Sequence, residues 1–203
     1  MSVKAVVFDM GNVLVDWDPR HLYRQLIADE AEMEHFLAEV CTMEWHFQHD
    51  QGGKTFKENA DLLSARHPEH EALIRAWGDR WLDMVKGRIE GTFDLIDQLK
   101  AAGYGLYGLT NVPDEKFDDL CAAFGLFEGF NDVIVSGREK CAKPHPEIYE
   151  LTERRAGLSG TDLVFLDDLP KNIATAKARG WHGVVFEHPA QATRDLKALG
   201  LTF

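Results

Sequence analysis

The chain is poor in cysteine, in positive charge and in long apolar runs, and each shortage removes a class of function. Its three cysteines, Cys41, Cys121 and Cys141, lie far apart with no Cys-x-x-Cys pair, so neither a disulfide framework nor a thiolate zinc site is indicated. Lysine and arginine number 22 against 34 aspartates and glutamates, a formal charge of -12. That balance argues against general affinity for nucleic acid or an anionic membrane, both of which need clustered basic residues. A phosphorylated small molecule stays open as a substrate, because one lysine, backbone N–H groups and a divalent cation can make a single pocket positive within an acidic surface. No apolar stretch approaches the roughly 20 residues that span a bilayer. Met1-Ser2-Val3-Lys4 leads straight toward a strand without the pattern of a cleavable signal, and a cytoplasmic location is the expectation. No internal repeat or low-complexity tract is present.

What is there is an ordinary globular composition, 45% hydrophobic and 28% charged over 203 residues, enough for one substantial core and a small second one. The organising stretch is Val6-Val7-Phe8-Asp9-Met10-Gly11-Asn12-Val13-Leu14. An apolar run that stops on a carboxylate and turns through glycine reads as a buried strand delivering Asp9 to a sheet edge. In open α/β sheets, ligands gather outside the carboxyl ends of the strands.

After Leu14 the chain leaves that sheet. From His21 to about Arg88 the spacing is helical, with no convincing strand: Leu22, Tyr23, Leu26 and Ile27 form one stripe, Met33, Phe36, Leu37 and Val40 another. A third, Leu73, Ile74, Trp77, Trp81, Leu82 and Val85, predicts a single long helix. Residues 16–88 therefore read as an all-helical insert, and residues 1–15 with 89–203 as the core. Four of the five tryptophans, Trp17, Trp45, Trp77 and Trp81, fall in or beside the insert. Core packing accounts for rings of this size, and Trp45 is the candidate to line a pocket.

From Gly91 strands alternate with helices, the signature of a parallel sheet with crossover helices. Thr92 is positioned to cap a helix through Leu99 that Gly103 stops. Gly105–Leu109 then ends on Thr110-Asn111, Val133–Val135 on Ser136-Gly137 before the loop carrying Lys143, and Leu163–Leu166 on Asp167-Asp168. Helices open at Pro113 and Pro170, and a last strand at Val184–Phe186 precedes a terminal helix from Ala192. The fold class is thus α/β, a Rossmann-like parallel sheet flanked by helices. Adjacent carboxylates joined by a third from another strand repel one another in a cleft, so a divalent cation explains their collection. Oxygen-only ligation with no histidine at hand points to Mg²⁺, which commonly works beside a phosphate.

Phe8-Asp9-Met10-Gly11-Asn12-Val13-Leu14, Leu109-Thr110-Asn111, Lys143-Pro144 and Asp167-Asp168 with Asn172 together resemble the four ordered motifs of the haloacid dehalogenase-like hydrolases. The resemblance covers the whole chain. The insert after the first motif is similar to the small helical cap of that family's first cap class, and the details are nearest its sugar-phosphate phosphatase branch. The resemblance implies a Mg²⁺-dependent phosphomonoester hydrolase acting on a small phosphorylated metabolite, with a sugar phosphate favoured. Asp9 would be the nucleophile that forms an aspartyl-phosphate. Mg²⁺ would be held by Asp9, the Gly11 carbonyl and Asp168, with Asp167 acting through water. Thr110 and the Asn111 N–H would hold phosphoryl oxygens, and Lys143 would offset the charge that Asp9 and the phosphate bring together. Asn12, and Trp45 and His46 from the insert, complete the candidate substrate contacts.

The sequence departs from the family pattern two residues after the nucleophile, where a second aspartate usually protonates the leaving oxygen and here stands Gly11. General acid–base help contributes about 10² to 10⁴ in rate. A leaving group of low basicity, such as an anomeric oxygen, needs less of it. Alternatively a residue of Trp45-His46-Phe47-Gln48-His49-Asp50-Gln51-Gly52 stands in, although hydrogen bonding within the fold also accounts for His46 and His49. Two other readings stay open. One is a protein that binds phosphorylated metabolites without turnover. The other is a 2-haloacid dehalogenase, for which Arg20 or Arg24 would bind the substrate carboxylate and against which the paired Asp167 and Asp168 speak. Helix faces packed within a chain and between chains look alike in sequence, which therefore sets no oligomeric state.

Overall fold

The computed structural model describes residues 3–203; of the N-terminal lead-in, Met1 and Ser2 lie outside the described residues. Seven strands are formed: β1 (Ala5–Phe8), β2 (Val15–Trp17), β3 (Val85–Arg88), β4 (Gly105–Thr110), β5 (Asp132–Val135), β6 (Leu163–Asp167) and β7 (His182–Val185). Five of them make one parallel sheet in the order β5-β4-β1-β6-β7. The central strands read as unbroken apolar runs because both faces are covered, and every residue of β1 and β6 is buried. The pleat sends Val6, Phe8, Leu106, Val164 and Leu166 into one core, and Ala5, Val7, Leu109, Leu163 and Phe165 into another.

The helices follow as α1 (Pro19–Tyr23), α2 (Glu30–Glu39), α3 (Met43–Asp50), α4 (Phe56–Ser64), α5 (Glu71–Asp79), α6 (Glu90–Ala101), α7 (Asp114–Phe124), α8 (Ser136–Glu139), α9 (Pro146–Ala156), α10 (Pro170–Ala178) and α11 (Pro189–Ala198). Their starts are written locally. Thr42 accepts a hydrogen bond from Trp45 N at the head of α3, and Thr55 with Glu58 closes a capping box on α4. Gly125 and Gly157 end α7 and α9 in the left-handed conformation a Cβ resists. Trp77 on α5 is fully buried and packs on Tyr23 of α1 and on Trp45 and His46 of α3 at 5.8, 5.5 and 5.4 Å between ring centres.

Three local expectations are corrected. The apolar stripe ending at Val85 is not one helix: α5 stops at Asp79, and a 3₁₀ turn at Trp81–Met84 leads into β3, which pairs antiparallel with β2. A strand therefore does exist within 16–88, and the insert is helical except for this ribbon. The stripe continues past the helix because Trp81 and Met84 stay buried in the same core while the backbone changes conformation. Leu26 falls beyond α1 and is partly exposed. Finally, Thr92 does not cap α6, which starts two residues earlier, after Ile89 has donated its N–H to Leu14 O at 2.8 Å.

The topology places the site. Successive strands are added on one side of β1 and then on the other, so the chain reverses direction at the carboxyl end of β1, where a crevice opens. Asp9 follows β1 directly, Thr110 closes β4 and Asp167 closes β6.

The loop after β4 is held from below by Gly137, whose N–H donates to Val112 O at 3.2 Å, and by Ser136 Oγ, which accepts from Val112 N at 3.0 Å. A Cβ on Gly137 would collide with Asp114 N and lie 2.9 Å from Val112 O, backbone atoms with no room to yield. Gly137→Ala is expected to destabilise the fold by about 1–3 kcal/mol in urea denaturation. A change within about 0.5 kcal/mol would show that this loop is not fixed by that approach.

Candidate active site

Asp9 is buried, and its Oδ1 lies 2.7 Å from Met10 N and 2.7 Å from Lys143 Nζ. The same ammonium lies 2.7 Å from Asp167 Oδ2. Asp167 is fully enclosed and also accepts from Asn172 Nδ2 at 2.9 Å on each oxygen and from Leu169 N at 2.8 Å. Asp168, half-buried, accepts from Asn12 Nδ2 at 3.3 Å. Asn12 holds a left-handed φ of 57°, a conformation asparagine tolerates, and its N–H donates to Val15 O at 2.7 Å, which folds the turn back behind Asp9.

Lys143 is positioned by Asn111. The Asn111 side chain accepts from Lys143 N at 2.9 Å and donates to Lys143 O at 2.9 Å, so the β4 end and the lysine loop are locked by a two-way amide pair. Thr110 is buried, and its Oγ1 has no hydrogen-bond partner among the described residues. A buried hydroxyl left unpaired costs about 1–3 kcal/mol, which an oxyanion against Thr110 would recover.

The electrostatics are those of a site short of positive charge. Asp9, Asp167 and Asp168 each offer an oxygen within 4.8 Å of the others, and one ammonium faces them. Burial holds the Asp9 carboxyl well above its ordinary range; Lys143 pulls it down, and Asp167 and Asp168 push it up. Asp168 is raised by burial and by Asp167, against Asn12 and Lys143. Burial works against the Lys143 ammonium, but Asp167 and Asp9 overcome it and keep the group charged. A hard, oxygen-liganded divalent cation fits this donor set.

These groups open onto a cavity of about 500 Å³ between the sheet edge and the insert. Asp9, Gly11, Asn12, Asn111, Lys143 and Asp168 line it from the core; Trp17, Met43, His46, Phe47, Asp50 and Trp81 line it from the insert side. Trp45 does not reach it. Its indole turns to the far side of α3, edge-on to His49 at 4.8 Å and to Trp77 at 5.5 Å, while Trp17 and Trp81 take the place expected of it. Arg20 is tied to Glu34 at 2.6 Å and Arg24 lies 4.0 Å from Glu30, and neither lines the cavity.

The two insert histidines part company. His49 is structural, with Nδ1 3.0 Å from His46 O and Nε2 3.1 Å from Asn59 Nδ2. His46 stacks on Trp17 at 5.3 Å and on the cavity side lies 3.4 Å from Asp50 Oδ2. Burial, with His49 adding to it, drives the His46 imidazole down to about 3, so it is neutral. Burial drives the Asp50 carboxyl up to about 8, against Lys143.

The sequence pattern of the haloacid dehalogenase-like hydrolases matches residues 3–180. The chain belongs to that family. Among curated relatives, this hydrolase is 25% identical over 198 residues to sesquiterpene phosphatase astK of Aspergillus oryzae, covering 98% of this chain and 97% of astK. It is 36% identical over 218 residues to acyl-CoA dehydrogenase family member 10 of Mus musculus, covering 98% of this chain but 19% of that longer protein. Its fold superposes on a HAD family enzyme of Bacteroides thetaiotaomicron, crystallised with magnesium and inorganic phosphate, with a TM-score of 0.73 at 22% identity, over 92% of this chain and 96% of the other.

Of the segment 45–52, expected as the source of a stand-in for the missing acid, His46, Phe47 and Asp50 reach the cavity, while Trp17, Glu44 and Lys171 are cavity residues that the sequence left without a role. The His46/Asp50 spacing of four puts both on one face of α3.

Two measurements follow for this hydrolase. Removing the ammonium leaves buried carboxylates unpaired, so Lys143→Met is expected to lose about 3–5 kcal/mol in urea denaturation without divalent cation, and less with Mg²⁺ present. Equal stability of the two proteins in the absence of the cation would contradict the charge assignment. For Asp50, whose carboxyl sits higher in the folded chain than in the unfolded one, the fold holds the extra proton between the ordinary carboxylate range and about pH 8. Stability from this group is therefore lost as pH rises through that window. Asp50→Asn removes the loss and is expected to gain on the wild type between pH 5 and 9 in urea melts; a constant difference would refute the burial effect.

Proposed function

We propose that this chain is a Mg²⁺-dependent phosphomonoester hydrolase that works through an aspartyl-phosphate on Asp9. The observation that carries the reading is the Asp9 carboxylate on the Lys143 ammonium at 2.7 Å, within a cluster of three acids of which Asp9 and Asp168 line a cavity that can take a small ligand. Asp9, Asp168 and the Gly11 carbonyl would hold Mg²⁺, with Asp167 acting through water. When bound, the ion offsets the negative charge that nucleophile and phosphate bring together.

The remaining steps belong to the chain. Asp9 attacks phosphorus, and the ester oxygen leaves with the alcohol. Lys143 keeps its charge and holds the Asp9 carboxylate in place, while Thr110 Oγ1 donates to a phosphoryl oxygen. Asn111 presents its backbone N–H to another oxygen while its side chain fixes the lysine loop. Water then attacks the aspartyl-phosphate and releases inorganic phosphate. We further propose that residues 16–88 form a lid unit over a core of 1–15 and 89–203, joined at the β2–β3 ribbon where the chain leaves and re-enters.

A small phosphorylated metabolite fits the cavity, and a sugar phosphate is the favoured class, its ring lying on the Trp17 face with Glu44 near its hydroxyls. A second reading, an apolar alcohol phosphate, is favoured by the wall of Trp17, Met43, Phe47, Trp81 and Leu169 and by the sesquiterpene phosphatase relative. Dehalogenation lacks support: no arginine lines the cavity, and the excess carboxylates would repel a haloacid.

The test is hydrolysis of a chromogenic aryl phosphate with and without Mg²⁺, beside Asp9→Asn and a chloroacid. Expected is metal-dependent phosphate release that Asp9→Asn reduces by about 10³-fold or more, with no halide released. Halide release without metal would establish the dehalogenase instead. Ligand binding with no turnover across a broad panel of phosphates would establish the non-catalytic reading. Comparing kcat/KM for a sugar 1-phosphate and a prenyl phosphate decides between the two substrate classes.

A further inference from the structure

Position 11 is vacant space as well as a missing carboxyl: a Cβ built on Gly11 meets no atom within 4 Å, although the residue lines the cavity beside Asp9. Among the residues that line the same cavity from α3 is a second carboxyl, Asp50. Asp50 is 5% exposed and leaves Oδ1 without a hydrogen-bond partner among the described residues. No lysine or arginine pairs with it, and its close neighbour is the neutral ring of His46, 3.4 Å away, whose Nδ1 is also unpartnered.

The carboxyl is held firmly. His46, one turn earlier on α3, is fixed by stacking on Trp17 and by Trp81 at 5.2 Å. Gly52, just past the helix, runs so close to Gly137 that a Cβ there would lie 2.5 Å from the Gly137 carbonyl oxygen. Gly137 is bonded in turn to Val112, two residues beyond Thr110. The end of α3 is thereby anchored to the strand end that carries the phosphate-binding candidates.

We infer that Asp50 is the general acid and base of this active site, supplying from the insert the proton transfers that position 11 cannot. The inference rests on the phosphatase reading above. In the first step the Asp9 oxygen bonds to phosphorus, the ester P–O bond breaks, and the Asp50 proton passes to the departing oxygen, leaving an alcohol and the Asp50 carboxylate. In the second, that carboxylate takes a proton from the water that attacks phosphorus; the acyl phosphate P–O bond breaks, inorganic phosphate leaves, and Asp9 and protonated Asp50 are restored. Burial supports the assignment by holding the Asp50 proton up to about pH 8, while His46 is too poor a base to remove it.

The groups that bear on this titration can be named. Lys143, Asp9, Asp168 and Lys171 face the cavity from the core, and Glu44 and His46 from α3. Arg138 and Glu139, on the turn against which α3 packs, are engaged with Asp114 and Asp118 and with Arg155.

The experiment compares wild type, Asp50→Asn and Asp50→Asn/Gly11→Asp, all with Mg²⁺, on p-nitrophenyl phosphate and on glycerol phosphate, whose alkoxide leaves poorly. For Asp50→Asn, kcat/KM on glycerol phosphate is expected to fall by about 10² to 10⁴ and on the aryl ester by less than about tenfold. A burst of one p-nitrophenol per chain should appear as the aspartyl-phosphate accumulates. The double variant should recover at least about tenfold of the alkyl activity, because Gly11 has room for the carboxyl. In wild type, which needs no variant to fold, the alkyl-to-aryl ratio of kcat/KM should fall as pH rises through about 8, and in Asp50→Asn it should be flat. Equal losses on both esters, no loss on either, or a pH-independent wild-type ratio would overturn the role of Asp50 while leaving the phosphatase standing. A wild type inert to both esters would instead overturn the phosphatase reading, and this inference with it.

Discussion

One ammonium, Lys143 Nζ, sits 2.7 Å from Asp9 and 2.7 Å from Asp167, with almost no exposure to water. It offsets the repulsion between the carboxylates that the strand ends bring together. A buried carboxylate is tolerable only when paired or neutralised, and β1 and β6, side by side, each deliver one at the same level of the sheet. The lysine lets Asp9 and Asp167 approach, but it serves two acids and leaves the third, Asp168, to Asn12 and to whatever cation the site takes up. Burial first, and then Asp167 and Asp168, raise the Asp9 carboxyl further than the one lysine lowers it.

Local choices all serve the placement of that ammonium. Asn111 grips the Lys143 backbone from both sides, Asn172 and the Leu169 N–H satisfy Asp167, and Met10 N–H fixes Asp9 Oδ1. Each of these partners lies within a few residues of a strand end. A parallel sheet whose order reverses at β1 gives such groups a common address, and the candidate site is then a matter of ending each strand on the right side chain.

That economy explains what was legible in the sequence. An apolar run closed by Asp9, Thr110 or Asp167 states both the strand and the edge at which its polar residue emerges, so the core half of the site could be read in one dimension. The insert half could not. Trp45 and Trp17 are equally aromatic, but the turn of α3 points Trp45 at His49 and Trp77, while Trp17, at the end of β2, faces the cavity. Val85 continues a helical stripe in register, and its partner in the β2–β3 ribbon, Trp17, is remote in sequence, so no local pattern distinguishes strand from helix there. Asp50 belonged to the segment expected to supply an acid, but nothing in the sequence set it apart from its neighbours there. Its significance comes from burial without an ionic partner, a property of the surroundings that the residue type does not announce.

The two halves of the cavity contribute different things. The core supplies the positive charge, through Lys143 and Lys171, and the carboxylates that call for more of it. The insert supplies none: Arg20 and Arg24 are turned to their own acidic partners, and His46, stacked among tryptophans, is too thoroughly desolvated to hold a proton. On the proposed phosphatase reading, a dianionic phosphate would be drawn to the sheet edge and not to the insert, and its alcohol half would be left against Trp17, Phe47 and Met43, beside the buried Asp50 carboxyl. Such a division would fix the orientation of a phosphoester before any specific contact to its alcohol is made.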